Sequence, residues 1–186
     1  MKKIILASVL GALTMFLWGA ISWIALPWHT STMHSLSNED AVAQLIKSSN
    51  PPNGTYMIPG FANDKVARDA KAKQGPIVHM YYQNEGQDPM SAMFFIKGIA
   101  LDVLVLLLAV SMLSKISWSL ATYSNRVKFM TMIGLIVGLS ARLGDSLYLG
   151  IPLEFSGPMV IDEVISWTLA GLVVSAFMKP ASLKGV

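Results

Sequence analysis

The chain has 186 residues, of which 53 % are apolar and 13 % charged, with a formal net charge of +3 and no cysteine. A charged share about half the usual quarter leaves too little polar surface for a soluble domain of this size, and points to a small helical membrane protein. The missing cysteine excludes disulfides, thiolate metal sites, covalently attached haem and a cysteine nucleophile. The basic residues are spread over helix flanks and one loop helix, which fits membrane topology and argues against nucleic acid as a partner.

Ile4 to Leu26 is 23 residues without a charge. At 1.5 Å per residue this makes roughly 34 Å of helix, enough to cross a hydrocarbon core of about 30 Å. Lys2 and Lys3 imitate the start of a signal peptide. The apolar run, however, is much longer than the roughly 7–15 residues of a signal sequence. It ends in Leu26-Pro27-Trp28 with no small-x-small cleavage pattern. We read residues 1–27 as an uncleaved anchor, with Pro27 stopping the helix and Trp23 and Trp28 at the interface.

Residues 28–92 form the one sizeable insert. "SNED" before "AVAQLI" predicts a capping box from Ser37 to Asp40 and a helix to about Lys47, with one stripe of Ala41, Val42, Leu45 and Ile46. Thr55 to Ile58 reads as a short strand ended by Pro59-Gly60. The triplet Asn53-Gly54-Thr55 is read as a turn. "NDKVARDAKAKQG" predicts a second helix capped by Asn63, with Asp64–Arg68, Lys65–Asp69 and Asp69–Lys73 pairs at i,i+4. Most of that helix should be solvated, and its sharper reading is a basic surface touching anionic headgroups. "PIVHMYY" is a strand candidate. Two strands and two short helices make too small a core to stand alone, so the insert is expected to pack on the mouth of the bundle.

Three further spans are predicted over residues 93–114, 129–149 and 158–178, giving residues 93–186 as helices two to four of an all-α, four-helix membrane bundle with a small α/β insert. Each carries charges: Lys97 and Asp102, then Arg142 and Asp145, then Asp162 and Glu163. If both termini and the 115–128 loop are cytoplasmic, they hold Lys2, Lys3, Lys115, Arg126, Lys128, Lys179 and Lys184, and no acidic residue. This positive-inside pattern predicts a multi-pass inner-membrane protein with both termini cytoplasmic and a periplasmic insert.

Charges inside a span are costly unless paired or wet, so they carry the most information. Asp102 lies roughly 13 Å and Arg142 roughly 11 Å below the outer surface, on consecutive antiparallel helices. We therefore expect an Asp102–Arg142 ion pair, with Lys97, Asp145, Asp162 and Glu163 as a second polar layer. The bland role for such a cluster is a lock on helix register; the sharper one is an outward-open cavity for a substrate, ion or proton. Gly134-x-x-x-Gly138 marks a close helix contact, within the bundle or between two copies in a homo-oligomer.

His29, His34 and His79 all fall in the insert, with Met33 between the first two. Imidazole and thioether ligands would suit copper or zinc at an outward site. Against this, His29 and His34 are at i,i+5, about 140° apart on a helix, and only His29 and Met33 would share a face. No cofactor is predicted, and His29 beside Trp28 is read as an interfacial side chain with its polar tip among the headgroups. No G-x-S-x-G, H-E-x-x-H, P-loop or G-x-G-x-x-G occurs, and no catalytic residue is assigned.

"FLWGAISWIALPWHTSTMHSLSNEDAVAQLI", with "NGTYMIP" and "GPIVHMYY", resembles a group of small bacterial inner-membrane proteins whose first helix ends in Ser-Trp…Leu-Pro-Trp-His. The resemblance covers the first half of the chain. It implies a bacterial inner-membrane protein and transfers no catalytic residue. The expected function is an accessory or scaffold protein that binds a membrane or periplasmic partner through its bundle or insert. The alternative is a small transport or metal-handling protein using the polar cluster and the outer His and Met residues. A membrane-embedded hydrolase using His29 or His79 with a serine comes third.

Overall fold

The computed structural model describes residues 1–61 and 64–178, in two compact units: residues 1–33 with 90–178, and residues 34–89. In chain order the elements are α1 (Lys2–Ile24), a 3₁₀ turn (Thr30–Thr32), α2 (Glu39–Ser48), β1 (Gly54–Ile58), α3 (Lys65–Gln74) and β2 (Val78–Tyr82). Then follow α4 (Ala92–Ile116), α5 (Tyr123–Val137), a π-helical segment (Gly138–Leu143), α6 (Gly144–Leu149) and α7 (Leu153–Phe177). Among the described residues four helices are long and apolar enough to cross a membrane: α1, α4, the continuous Tyr123–Leu149 helix and α7.

These four helices pack as a row, α4–α1–α7–α5, and not in chain order around a square. Small residues make the close approaches. A Cβ on Gly11 would lie 2.8 Å from Leu106 Cδ1 and 3.0 Å from Val174 Cγ2, so α4 and α7 converge over α1 there. On α5, a Cβ on Gly134 would lie 2.5 Å from Trp167 Cβ and one on Gly138 3.2 Å from the Val160 carbonyl. The Gly134-x-x-x-Gly138 face therefore sits against α7 of the same chain, where backbones can approach closely. Leu106, Val110, Met130, Trp167 and Val174 form the buried centre of the unit.

Two helices start earlier than the hydropathy predicts. The third span begins at Tyr123, two turns before the predicted Phe129, because Thr122 caps it by accepting from the Asn125 amide at 3.1 Å. Arg126 and Lys128, expected in a loop, are thus helical. Arg126 is buried: its guanidinium donates to the Leu120 and Ala121 carbonyls at 3.0 Å and to the Ser175 carbonyl at 3.5 Å. It ties the α4–α5 loop to the last turn of α7. That last helix begins at Leu153, so Pro158, expected as its first residue, lies inside it. Glu154 in its first turn suits the positive end of the helix dipole. The predicted end of the chain past Met178 lies outside the described residues.

In the insert, β1 and β2 pair antiparallel, with Ile58 opposite Val78 and Gly54 opposite Tyr82. The chain between them carries α3. Its cap is Asp64, whose carboxylate accepts from the Val66 and Ala67 amides at 2.9 and 3.2 Å; the expected cap, Asn63, lies outside the described residues. Of the expected pairs, Lys65–Asp69 forms at 3.8 Å, while Arg68 turns to Asp69 at 3.3 Å and away from Asp64, which is occupied by its cap bonds. Helix α3 ends at Gly75, whose φ of +71° is open to glycine and strained for other residues. The Ser37 capping box does not form: α2 starts at Glu39 after Asn38, with no side-chain cap. No described residue between positions 34 and 89 is buried.

Candidate functional site

The charged residues within the long helices do not pair as expected. Arg142 meets Glu163 on α7, with Nη2 3.3 Å from Oε1, and not Asp102. The reason is the row order: α5 packs on α7 while α4 packs on α1, so the helices carrying Arg142 and Asp102 are not neighbours. Depth counted along each helix says nothing about which helices touch. Arg142 sits in the π-helical segment, a local widening of the helix that often marks functional positions. Asp102 is half-buried on α4, and Lys97 is exposed one turn and a half before it. Asp145 is half-buried at the start of α6.

Asp162 belongs to a different and more enclosed network. Trp18 Nε1 on α1 donates to its Oδ1 at 2.6 Å. Its Oδ2 lies 3.5 Å from His29 Nε2. The same His29 nitrogen is 2.9 Å from Ser22 Oγ, which also accepts from Trp28 Nε1 at 3.0 Å. Trp23 stacks on the His29 ring at 4.3 Å between centroids, and Trp28 leans on it at 5.3 Å. Ser22 is fully buried and His29 is 1 % exposed.

Local sequence explains why His29 returns to the helix. Helix α1 stops at Ala25, before Pro27, and the chain then winds one tight turn in which Ser31 N donates to the Pro27 carbonyl at 2.9 Å. Thr32 Oγ1 closes the turn on the His29 carbonyl at 2.7 Å. The imidazole is thereby carried back beneath the last turn of α1. The expectation that it points into the headgroup region is corrected: two tryptophan rings and two polar partners hold it inside. Trp23 itself is 41 % exposed, with its outer face free.

The trio of Ser22, His29 and Asp162 is not a nucleophilic relay. A relay needs the serine on one imidazole nitrogen and the acid on the other. Here both face Nε2, while the buried Nδ1 has no hydrogen-bond partner among the described residues. Nε2 is the His29 nitrogen that faces both the Ser22 hydroxyl and the Asp162 carboxylate. Such an arrangement fastens α1, the turn after it and α7 together.

The expected metal ligands are divided between the units. His29 and Met33 lie in the helical unit, and His34 and His79 in the insert, where His79 sits on β2 opposite Met57. Among the described residues no three His, Asp or Glu side chains gather as a metal site. Reasoning from sequence missed Trp18, Ser22 and Arg126. Ser22 was in view as the first residue of the Ser-Trp…Leu-Pro-Trp-His pattern, whose spacing about the Pro27 turn is what joins it to His29, whereas Trp18 lies before that pattern. The chain matches no protein-family model, no curated protein and no solved structure.

Proposed function

We propose that this chain is an accessory or scaffold protein of the bacterial inner membrane, with cytoplasmic termini and a periplasmic insert, and that it binds a protein partner chiefly through that insert. The observation that carries this reading is the lack of any buried residue among the described positions 34–89 of the insert, alongside exposed Leu36, Val42, Leu45 and Tyr81. Apolar side chains left uncovered on a small unit mark an interaction surface. Val42, Leu45 and Ile46 lie on one stripe of α2, the pattern by which an amphipathic helix lies in a partner's groove. The distribution of basic residues supports the proposed orientation.

Mild detergent extraction with a photo-crosslinker at Leu45 tests the reading. A discrete crosslinked protein, lost on Val42→Asp, is the expected result. A chain recovered alone and monomeric from native membranes would overturn it, and a crosslinked second copy would make the scaffold a homo-oligomer.

A second reading, a small transport protein, is favoured by one observation. Asp102 has no hydrogen-bond or ion-pair partner among the described residues, and an ionisable group within a span is a functional candidate. Loss of function in a folded Asp102→Asn variant would support it.

A further inference from the structure

Between α3 and the ends of the two strands lies a groove of about 470 Å³, lined among others by Ile58, Pro59, Phe61, Arg68, Lys71 and Pro76. Its size is that of a small-ligand site. Its chemistry is two-sided. The rim is apolar and open, with Ile58 54 %, Phe61 79 % and the adjoining Ile77 61 % exposed. The wall is basic. Four of the five Lys and Arg residues between positions 34 and 89 lie on α3. Arg68 is held 5.3 Å over the Phe61 ring and faces Asp69, while Lys71 has no acidic partner among the described residues.

We propose that this groove binds the headgroup of an anionic phospholipid, with Arg68 and Lys71 on the phosphate and the Ile58, Phe61 and Ile77 side chains entering the acyl boundary. Cations beside protruding apolar side chains match the layered chemistry of an anionic bilayer surface, phosphate above hydrocarbon. A soluble anion would leave the apolar rim in water. Chain continuity adds a second argument: the insert runs at both ends into long apolar helices, with Ala92 of α4 only three residues past Pro89. An insert tethered twice to a bilayer meets lipid at high effective concentration. The proposal rests on reading those helices as membrane spans, and it does not depend on a protein partner at α2.

The absence of cysteine makes the test direct, since a single Ile77→Cys in the full chain can carry an environment-sensitive fluorophore. The labelled protein is placed in nanodiscs of phosphatidylcholine alone or with phosphatidylglycerol, both containing bromine-quencher acyl chains. Expected are quenching that grows with phosphatidylglycerol, is suppressed by salt and is weakened about fivefold in apparent lipid affinity by Lys71→Gln. Arg68→Gln with Lys71→Gln should weaken it further, whereas Lys47→Gln on α2, with the same charge change as Lys71→Gln, should not. Equal quenching in both lipid mixtures overturns the proposal. So does a response to glycerol 3-phosphate in phosphatidylcholine discs without one to phosphatidylglycerol, which assigns a soluble anion. A signal that requires a co-purifying protein also overturns it. Protein that fails to co-elute with discs overturns the membrane reading itself, and this proposal with it.

Discussion

Trp18 and Asp162, 144 positions apart, are joined by a 2.6 Å hydrogen bond from the indole nitrogen to the carboxylate. The bond crosses from α1 to α7, and Asp162 in turn faces His29. A charged acceptor inside a helical unit is stabilised only by such donors, so its loss should be felt in the whole fold. Trp18→Phe keeps most of the ring and removes the donor. We expect it to destabilise the protein by about 1.5–3 kcal/mol. Asp162→Asn, which removes the charge together with its need for a donor, should cost less. Thermal unfolding of the two variants in detergent checks the order, and an equal or larger loss in Asp162→Asn would contradict it.

His29 packs between Trp23 and Trp28 and faces Ser22, whereas His34 is exposed and His79 half-buried on a two-stranded hairpin. His29→Ala should therefore destabilise by about 2–4 kcal/mol, combining a cavity with lost hydrogen bonds. His34→Ala and His79→Ala should change stability by less than about 0.5 kcal/mol. The same three proteins, analysed for copper and zinc after purification, separate the roles. A metal lost with any one histidine would show that packing is not the whole of it.

Gly134 and Gly171 are occupied by their neighbours: an added Cβ would meet Trp167 Cβ at 2.5 Å and Met130 Cβ at 2.8 Å. Each Gly→Ala change should cost about 1–3 kcal/mol through forced separation of α5 and α7. Gly98, on α4 with nothing within 4 Å, is the control, and Gly98→Ala should be neutral or slightly stabilising. Equal effects at all three sites would mean that α5 and α7 are not in this register.

The Arg142–Glu163 pair is uncovered on one side, with the arginine side chain 43 % exposed. Its coupling in a double-mutant cycle of Arg142→Gln and Glu163→Gln should be about 1 kcal/mol or less. The same cycle for Arg142 and Asp102 should give a smaller coupling still. A larger value for the second cycle would restore the pairing inferred from depth.

Arg126, buried among the Leu120, Ala121 and Ser175 carbonyls, is expected to resist even a conservative change. Arg126→Lys retains the charge and loses the planar fork that reaches three oxygens. Its melting temperature should fall nearly as far as that of Arg126→Ala, and a lysine variant that melts like the wild type would show charge alone to suffice.

Much of the architecture is legible without coordinates. A 23-residue apolar run, three further runs bounded by charge, and two short β-rich segments each announce themselves by length and period, because those signals are local. The boundaries that failed were also local: Thr122 caps the third long helix ahead of its apolar run, and α7 starts after Pro152 with Glu154 in its first turn, where hydropathy gives no signal. The cap of α3 moved one residue for the same reason, since Asp64 is the side chain placed to accept from the Val66 and Ala67 amides.

The sequence by itself determined how many long apolar helices this protein has and which ionisable residues they carry, since helix length and apolar composition depend on the chain alone. Only the tertiary structure decided which helices are neighbours. Four antiparallel helices of similar length and polarity can be ordered in several ways with nearly the same burial of apolar surface. The choice of α4–α1–α7–α5 is made by contacts between distant positions: Gly11 beneath Leu106 and Val174, Gly134 against Trp167, and His29 turned back onto Ser22 and Asp162.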